Sequence, residues 1–201
     1  MFNTTPKKTV PAAVASVVLA LSAVTGVGVA TATPALADAP AQSEQAASYE
    51  VDFLKNMIDH HTMAVMMAQT CLDKAVHPEL AALCQSIIES QSAQINDMQS
   101  WLQQWYGISY EPQLSTGQMQ SMQRMENFTG AQYEIRFMQS MIRHHWAAVR
   151  ESGTCLENAE HSELLGLCQT IRQTQLDEIG QMQAWLEQWY DRQGGRSTET
   201  F

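Results

Sequence analysis

Positive charge is scarce in this chain: 11 Lys and Arg stand against 21 Asp and Glu among 201 residues, a formal charge of −10 with the six His neutral. That balance excludes the basic surface a nucleic acid requires. Runs of alternating apolar and polar residues are missing, so nothing in the chain reads as a sheet. Also missing are a glycine-rich phosphate loop, a nucleophile beside a base, and paired carboxylates within a helical face, which removes the usual catalytic constellations. The four Cys form no C-x-x-C pair, so neither a zinc knuckle nor a C-x-x-C-H haem attachment is written here.

What is present begins with a targeting segment. Lys7 and Lys8 precede an apolar stretch from Val10 to Ala30, and Ala35-Leu36-Ala37 supplies the small residues that a signal peptidase reads. Residues 1–37 therefore read as a secretory signal peptide cut before Asp38. The apolar stretch is also long enough, at about 20 residues, to be retained as an anchor. No Cys follows it, which argues against a lipid anchor, and a cleaved product has no further tie to a membrane. Export places all four Cys in an oxidising compartment, where an even count points to disulfides.

An internal repeat organises the rest. Shifted by 84 residues, Tyr49 to Tyr106 aligns without a gap on Tyr133 to Tyr190, with 29 of 58 positions identical. This is a duplication. In each copy apolar residues recur at three- and four-residue steps along two segments. Phe53, Met57, His60, His61, Ala64, Met67, Ala68 and Cys71 mark the first segment; Leu80, Cys84, Ile87, Gln91, Ile95, Met98, Leu102 and Trp105 mark the second. A short polar break ending at Pro78 separates them, matched by Ser162 in the other copy. Two amphipathic helices across a short break make an antiparallel hairpin, and two hairpins make an all-α four-helix bundle. The domain organisation expected is a flexible segment over 38–48, hairpin repeats over 49–106 and 133–190, a connector over 107–132 with a short Met-rich helix near Gln118 to Phe128, and a disordered tail over 191–201.

Four Cys allow three pairings. Cys71 ends the first helix of its hairpin and Cys84 opens the second, so the two face each other near the turn, and Cys155 and Cys168 repeat the arrangement. The duplication favours these local bridges over thiolate metal ligation.

The sharpest chemical signal is Met-x-x-His-His, as Met57, His60 and His61 and again as Met141, His144 and His145. Residues three and four apart are neighbours on a helix, so each Met stands beside both imidazoles. Ala64 and Ala148 behind them are small and leave room for a ligand. The partner helix offers Gln91 and Met98, repeated as Gln175 and Met182. Thioether and imidazole are soft to borderline donors that suit Cu(I) or Ag(I), with Cu(II) or Zn(II) open through imidazole. Methionine at helical spacing is more often core filler. Two adjacent His beside an apolar face are costly to bury without partners, however, and both copies keep Met, His, His and the later Met while their neighbours diverge. The expected metal ligands are thus Met57, His60, His61 and Met98, with Met141, His144, His145 and Met182. Weaker candidates are Gln91 and Gln175, then Met63, Met66 and Met67, which would let the first copy hold more metal. Last comes the connector stripe Met119, Met122 and Met125, equally a hydrophobic strap. His77 and His161 at the interhelix breaks read as capping or solvent-exposed, and Asp59 opposite Arg143 hints that the copies face each other through opposite charges.

With the His pair, the Met and the repeated Gln-(x)6-Met-(x)2-Trp-Leu tail, the chain resembles the DUF305 family of exported proteins across Tyr49–Tyr106 and Tyr133–Tyr190. The resemblance implies a ferritin-like four-helix bundle, a role in copper binding and tolerance, and the same eight Met and His as ligands. It also implies an acidic residue near the tail position, which Glu178 fills in the second copy and Gln94 replaces in the first. A ferritin-like di-iron oxidase needs Glu-x-x-His on its helices. No His here has Glu three residues before it, and each copy has Met at the matching place. The leading function is a non-catalytic, exported copper binder that buffers the ion or passes it to a copper-transfer partner. The alternatives are a helical interaction module anchored by Trp101, Trp105, Trp185 and Trp189, and a metal-dependent oxidase.

Overall fold

In the computed structural model, residues 39–191 are described; the signal segment before them, with its cleavage point, and the tail from 192 onward lie outside the described residues. Five helices follow in order: α1 (Glu44–Lys74), α2 (Pro78–Tyr106), α3 (Thr116–Glu126), α4 (Gly130–Asn158) and α5 (Ser162–Trp189). The described residues contain no strand. The fold is an all-α bundle in which α1/α2 and α4/α5 form hairpins, α1 packs along α4, and α3 lies against α1 and α4.

Each hairpin turn is written twice. The backbone N–H of Ala75 donates to the Cys71 carbonyl and that of Ala159 to the Cys155 carbonyl, closing α1 and α4 in the same way. Pro78 then opens α2, where its missing N–H costs nothing. The local disulfides expected from the duplication are present, Cys71–Cys84 and Cys155–Cys168, with Cα separations of 6.2 and 6.3 Å. At the far end of α2, Gly107 takes the left-handed backbone (φ 67°) that a side chain would disfavour, and its N–H closes on the Gln103 carbonyl.

The segment 38–48 is not wholly flexible, as the sequence reading had it. Ser43 caps α1 by accepting from the Ala46 N–H, and Glu160 accepts from the backbone of Gln42 and from both the backbone and the hydroxyl of Ser43. These bonds start the helix five residues before Tyr49. The connector helix also starts earlier than expected, because Ser115 and Gln118 form a reciprocal capping box.

Two core clusters reveal the packing. One joins the first half of α1 and the last half of α2 (Phe53, Leu54, Met57, Met98, Leu102) to the last half of α4 and the first half of α5 (Ala148, Cys155, Leu164, Ile171). The other joins the complementary halves, with Ala64, Ala68 and Ile87 against Phe137, Met141 and Met182. The exchange requires α1 and α4 to run antiparallel, with the two copies related by an approximate twofold. The His pairs lie at the middle of α1 and α4, where that axis passes.

The clusters end in matching clasps that link the hairpins. Glu50 of α1 is fully buried and accepts from the backbone N–H of Glu160 and His161 at the start of α5, from His161 Nδ1 at 2.5 Å and from the Tyr106 hydroxyl at 2.5 Å. Glu134 of α4 repeats the pattern on Val76, His77 and Tyr190. Burial pushes both carboxyls up, but the donated bonds, led by those of Tyr106 and Tyr190, outweigh it and hold them below the usual carboxylate range. Trp105 stacks on His161 (centroids 3.8 Å) and Trp189 on His77 (3.9 Å). His161 is buried, and neither His makes a side-chain cap. The expectation of capping or solvent-exposed imidazoles is corrected: each one joins a buried carboxylate to an indole.

Candidate metal centre

Every member of the Met and His set except His60 and His144 is fully buried: Met57, His61 and Met98 in one hairpin, Met141, His145 and Met182 in the other. Helix geometry sets their level. Met57 lies one turn before His61 on α1, and Met98 lies one turn after Gln94 on α2, whose Oε1 accepts from His61 Nε2 at 2.7 Å. The second hairpin repeats this with Glu178, whose Oε2 accepts from His145 Nε2 at 2.6 Å.

The tautomers follow from those partners. A carbonyl or carboxylate oxygen can only accept, so Nε2 of His61 and of His145 carries the hydrogen and Nδ1 is left with a free lone pair. His60 fits the same logic, because its Nε2 donates to the His144 carbonyl at 3.0 Å. Nδ1 of His60, His61 and His145, and both ring nitrogens of His144, are buried without a protein hydrogen-bond partner. Buried polar atoms are rarely left so. His60 and His144 meet across the axis, their rings tilted by 31° with centroids 3.6 Å apart.

Burial and mutual repulsion hold His60, His61 and His144 neutral. Desolvation takes His60 down to about 4 and, with His60 beside it, His61 to about 3; His144 lies well below the usual value for the same reason, reinforced by His60, His145 and His61. His60, His61 and His144 thus sit at the bundle centre as neutral, lone-pair-bearing donors. Among the described residues no three His, Cys, Asp or Glu converge on one point, so a cation held here needs the thioethers as well. This donor set, neutral, soft and desolvated, fits a soft cation.

The weaker candidates divide. Met63, Met67, Met122 and Met125 line one cavity between α1, α3 and α4, whereas Met66 and Met119 do not line it. Gln91 and Gln175 are buried with Oε1 unpartnered. Asp59 does not face Arg143: it accepts from the Tyr110 hydroxyl and the Gln113 N–H of the connector, while Arg143 donates to Ser140. The four Trp close the ends of the bundle, stacked in the pairs Trp101–Trp105 and Trp185–Trp189. Sequence reasoning passed over Glu50 and Glu134 and left the acidic tail position without a partner. Glu50 and Glu134 are identical in the aligned repeat, which marks the position but not its partner, whereas the tail position is acidic only as Glu178.

The family model for the domain of unknown function DUF305 matches residues 50–186, with a second match over 134–200. The chain belongs to the DUF305 family. Among solved DUF305-like structures, CopM in its Cu(I)-bound form is 32% identical, covers 70% of this chain and 97% of its own, and superposes with a TM-score of 0.63. CopM in an Ag-bound form gives 33% identity, 70% and 96% coverage and a TM-score of 0.62. A DUF305 fragment from Deinococcus radiodurans is 27% identical over 70% of this chain and 96% of its own, with a TM-score of 0.62. No curated protein matches the chain.

Proposed function

We propose that this DUF305 protein is an exported, non-catalytic copper binder that holds Cu(I), and equally Ag(I), between Met and His side chains at the bundle centre, buffering the ion or handing it to a transfer partner. One observation carries the reading: buried imidazole nitrogens with free lone pairs occur in the same helices as four fully buried thioethers, each one helical turn from a central His or from its hydrogen-bond partner. A neutral, water-poor site of this kind favours a monovalent soft ion, because a divalent ion would bring twice the charge into a centre whose one nearby carboxylate, Glu178, is already engaged by His145. Cu(II) or Zn(II) would rely on the imidazoles. CopM, 32% identical, has been solved with Cu(I), Cu(II) and Ag, which supports copper as the cargo.

Export rests on the N-terminal segment and on two disulfides that need an oxidising compartment. Among the described residues no helix is long and apolar enough to cross a membrane. A non-catalytic role is favoured because the buried carboxylates Glu50 and Glu134 are spent on helix starts at the ends of the bundle. The test is competition with a Cu(I) chelator, comparing the wild type with His60→Ala/His61→Ala and Met57→Leu/Met98→Leu. Tight binding weakened in both variants is expected. Binding unchanged in both would return these residues to core packing.

A further inference from the structure

Within the buried centre His61, His145 and all four Met are fully covered, and only His60 and His144 are partly exposed. Of these two, His144 alone lines the cavity between α1, α3 and α4. It belongs to the central cluster through its tilted ring contact with His60, and that cavity has a volume of about 270 Å³. Four thioethers line the same cavity: Met63 and Met67, one turn apart on α1, and Met122 and Met125, three residues apart on α3. Both ring nitrogens of His144 are buried and unpartnered, so a lone pair is available there as well.

The connector is built to hold these groups together. Asp59 fixes its start through Tyr110 and Gln113. Lys74 fixes the end of α3 by donating from Nζ to the Glu126 and Phe128 carbonyls at 2.6 and 3.1 Å. Arg136 covers the Phe128 ring at 4.1 Å. A strap serving only to cover apolar surface would be satisfied by Leu or Ile, whereas this one brings Met122 and Met125 into one cavity with Met63, Met67 and His144.

The thioethers that α1 gives this cavity are not repeated in the second copy. The second copy carries Ala147 and Glu151 where the first has Met63 and Met67. His60 there has Nε2 engaged by the His144 carbonyl, and the connector start occupies Asp59. The thioether-lined approach therefore belongs to one side of the axis.

We propose that this cavity is a second soft-cation site, in which the thioethers of Met63, Met67, Met122 and Met125 take a monovalent ion, Cu(I) or Ag(I), from solvent and His144 links it to the buried centre. The loading role rests on the function proposed above; the thioether site itself does not. Arg143 also lines the cavity. Its positive charge opposes a divalent ion twice as strongly as a monovalent one, and none of the five donors carries a compensating negative charge. Thioethers have no proton to lose, so capture here is insensitive to acid.

Methionine methyl NMR on the purified protein, labelled with ε-13C methionine and titrated with Ag(I), resolves the two places. The methyls of Met63, Met67, Met122 and Met125 are expected to shift as a group, separately from those of Met57, Met98, Met141 and Met182, and Zn(II) is expected to move none of the outer four. In Met122→Leu/Met125→Leu, a size-conserving change that keeps the strap packed, one Ag(I) equivalent is expected to be lost and the inner methyls to respond at least tenfold more slowly. Outer methyls that stay still up to saturation while the inner ones move would overturn the outer site and leave the buried centre standing. Outer methyls that move while the inner ones stay still would retain the outer site and refute both its loading role and the buried centre. An unchanged stoichiometry and inner rate in the double variant would reduce α3 to a hydrophobic cover.

Discussion

Acid should unfold the metal-free protein through its central histidines, within a definable window. An imidazole in the unfolded chain titrates near 6.5, whereas burial holds His60 near 4 and His61 near 3. A folded value below the unfolded one means that the unfolded chain takes up the proton first, so folding loses ground as pH falls below 6.5 and stops losing it only near the folded value. Between pH 7 and pH 5 roughly 1.5 pH units of that gap are crossed, at about 1.4 kcal/mol per unit. The loss is about 2 kcal/mol for each of the two residues, with His144 adding to it in the same direction. Glu50 and Glu134 do not confuse the measurement. Their folded values lie below the usual 4.5, so the stability they contribute is intact above it and is lost only in stronger acid. Urea unfolding followed by tryptophan fluorescence at pH 7 and pH 5 reads the effect. His61→Gln should cut the pH-dependent loss by about 2 kcal/mol, since glutamine does not titrate. A loss of the same size in wild type and variant would refute the claim that His61 is held neutral by burial.

Other outcomes follow from the same geometry. Replacing Cys71 and Cys84 with Ser should cost about 3 kcal/mol by the loop-entropy estimate, read as a lower urea midpoint, with the 155–168 bridge intact. Glu134→Gln should cost about 2 kcal/mol, because the charge-assisted bonds to the start of α2 and to Tyr190 are weakened; thermal unfolding checks it. Glu178 holds His145 as a carboxylate where Gln94 holds His61 as an amide. Glu178→Gln should therefore weaken Ag(I) binding in the second hairpin by about tenfold or more while leaving the first unchanged, as measured by calorimetric titration.

Much of this molecule is legible in its sequence because the duplication tests each pattern twice. The hairpins, their turns and the two local disulfides follow from helical spacing, Pro78 and the placement of Cys71 and Cys84. The Met and His residues can be singled out because both copies keep them while Asp59, Met66 and Met67 diverge. Less legible is anything decided by how one hairpin meets the other. Glu50 reaches the start of α5 and Glu134 the start of α2, more than fifty residues away, and no local periodicity encodes that exchange. His77 and His161 look like helix-start residues in the sequence and become clasp members, His161 a buried one, only once α1 and α4 are antiparallel. The strap is the same kind of case. Met122 and Met125 read as a stripe on a short helix, and only the course of the connector over α1 brings them to Met63 and Met67. Asp59 and Arg143 show the converse, where a pairing suggested by complementary charge is displaced by hydrogen bonds to the connector.

The most direct test of the account is a crystal structure of the Ag(I)-loaded protein with the metal located by anomalous scattering. The account predicts silver at the bundle centre, with both thioether sulfur from the Met57, Met98, Met141 and Met182 set and a ring nitrogen from the His60, His61, His144 and His145 set within bonding distance. Silver bound only at surface groups, with those eight side chains unmoved and still unpartnered, would contradict it.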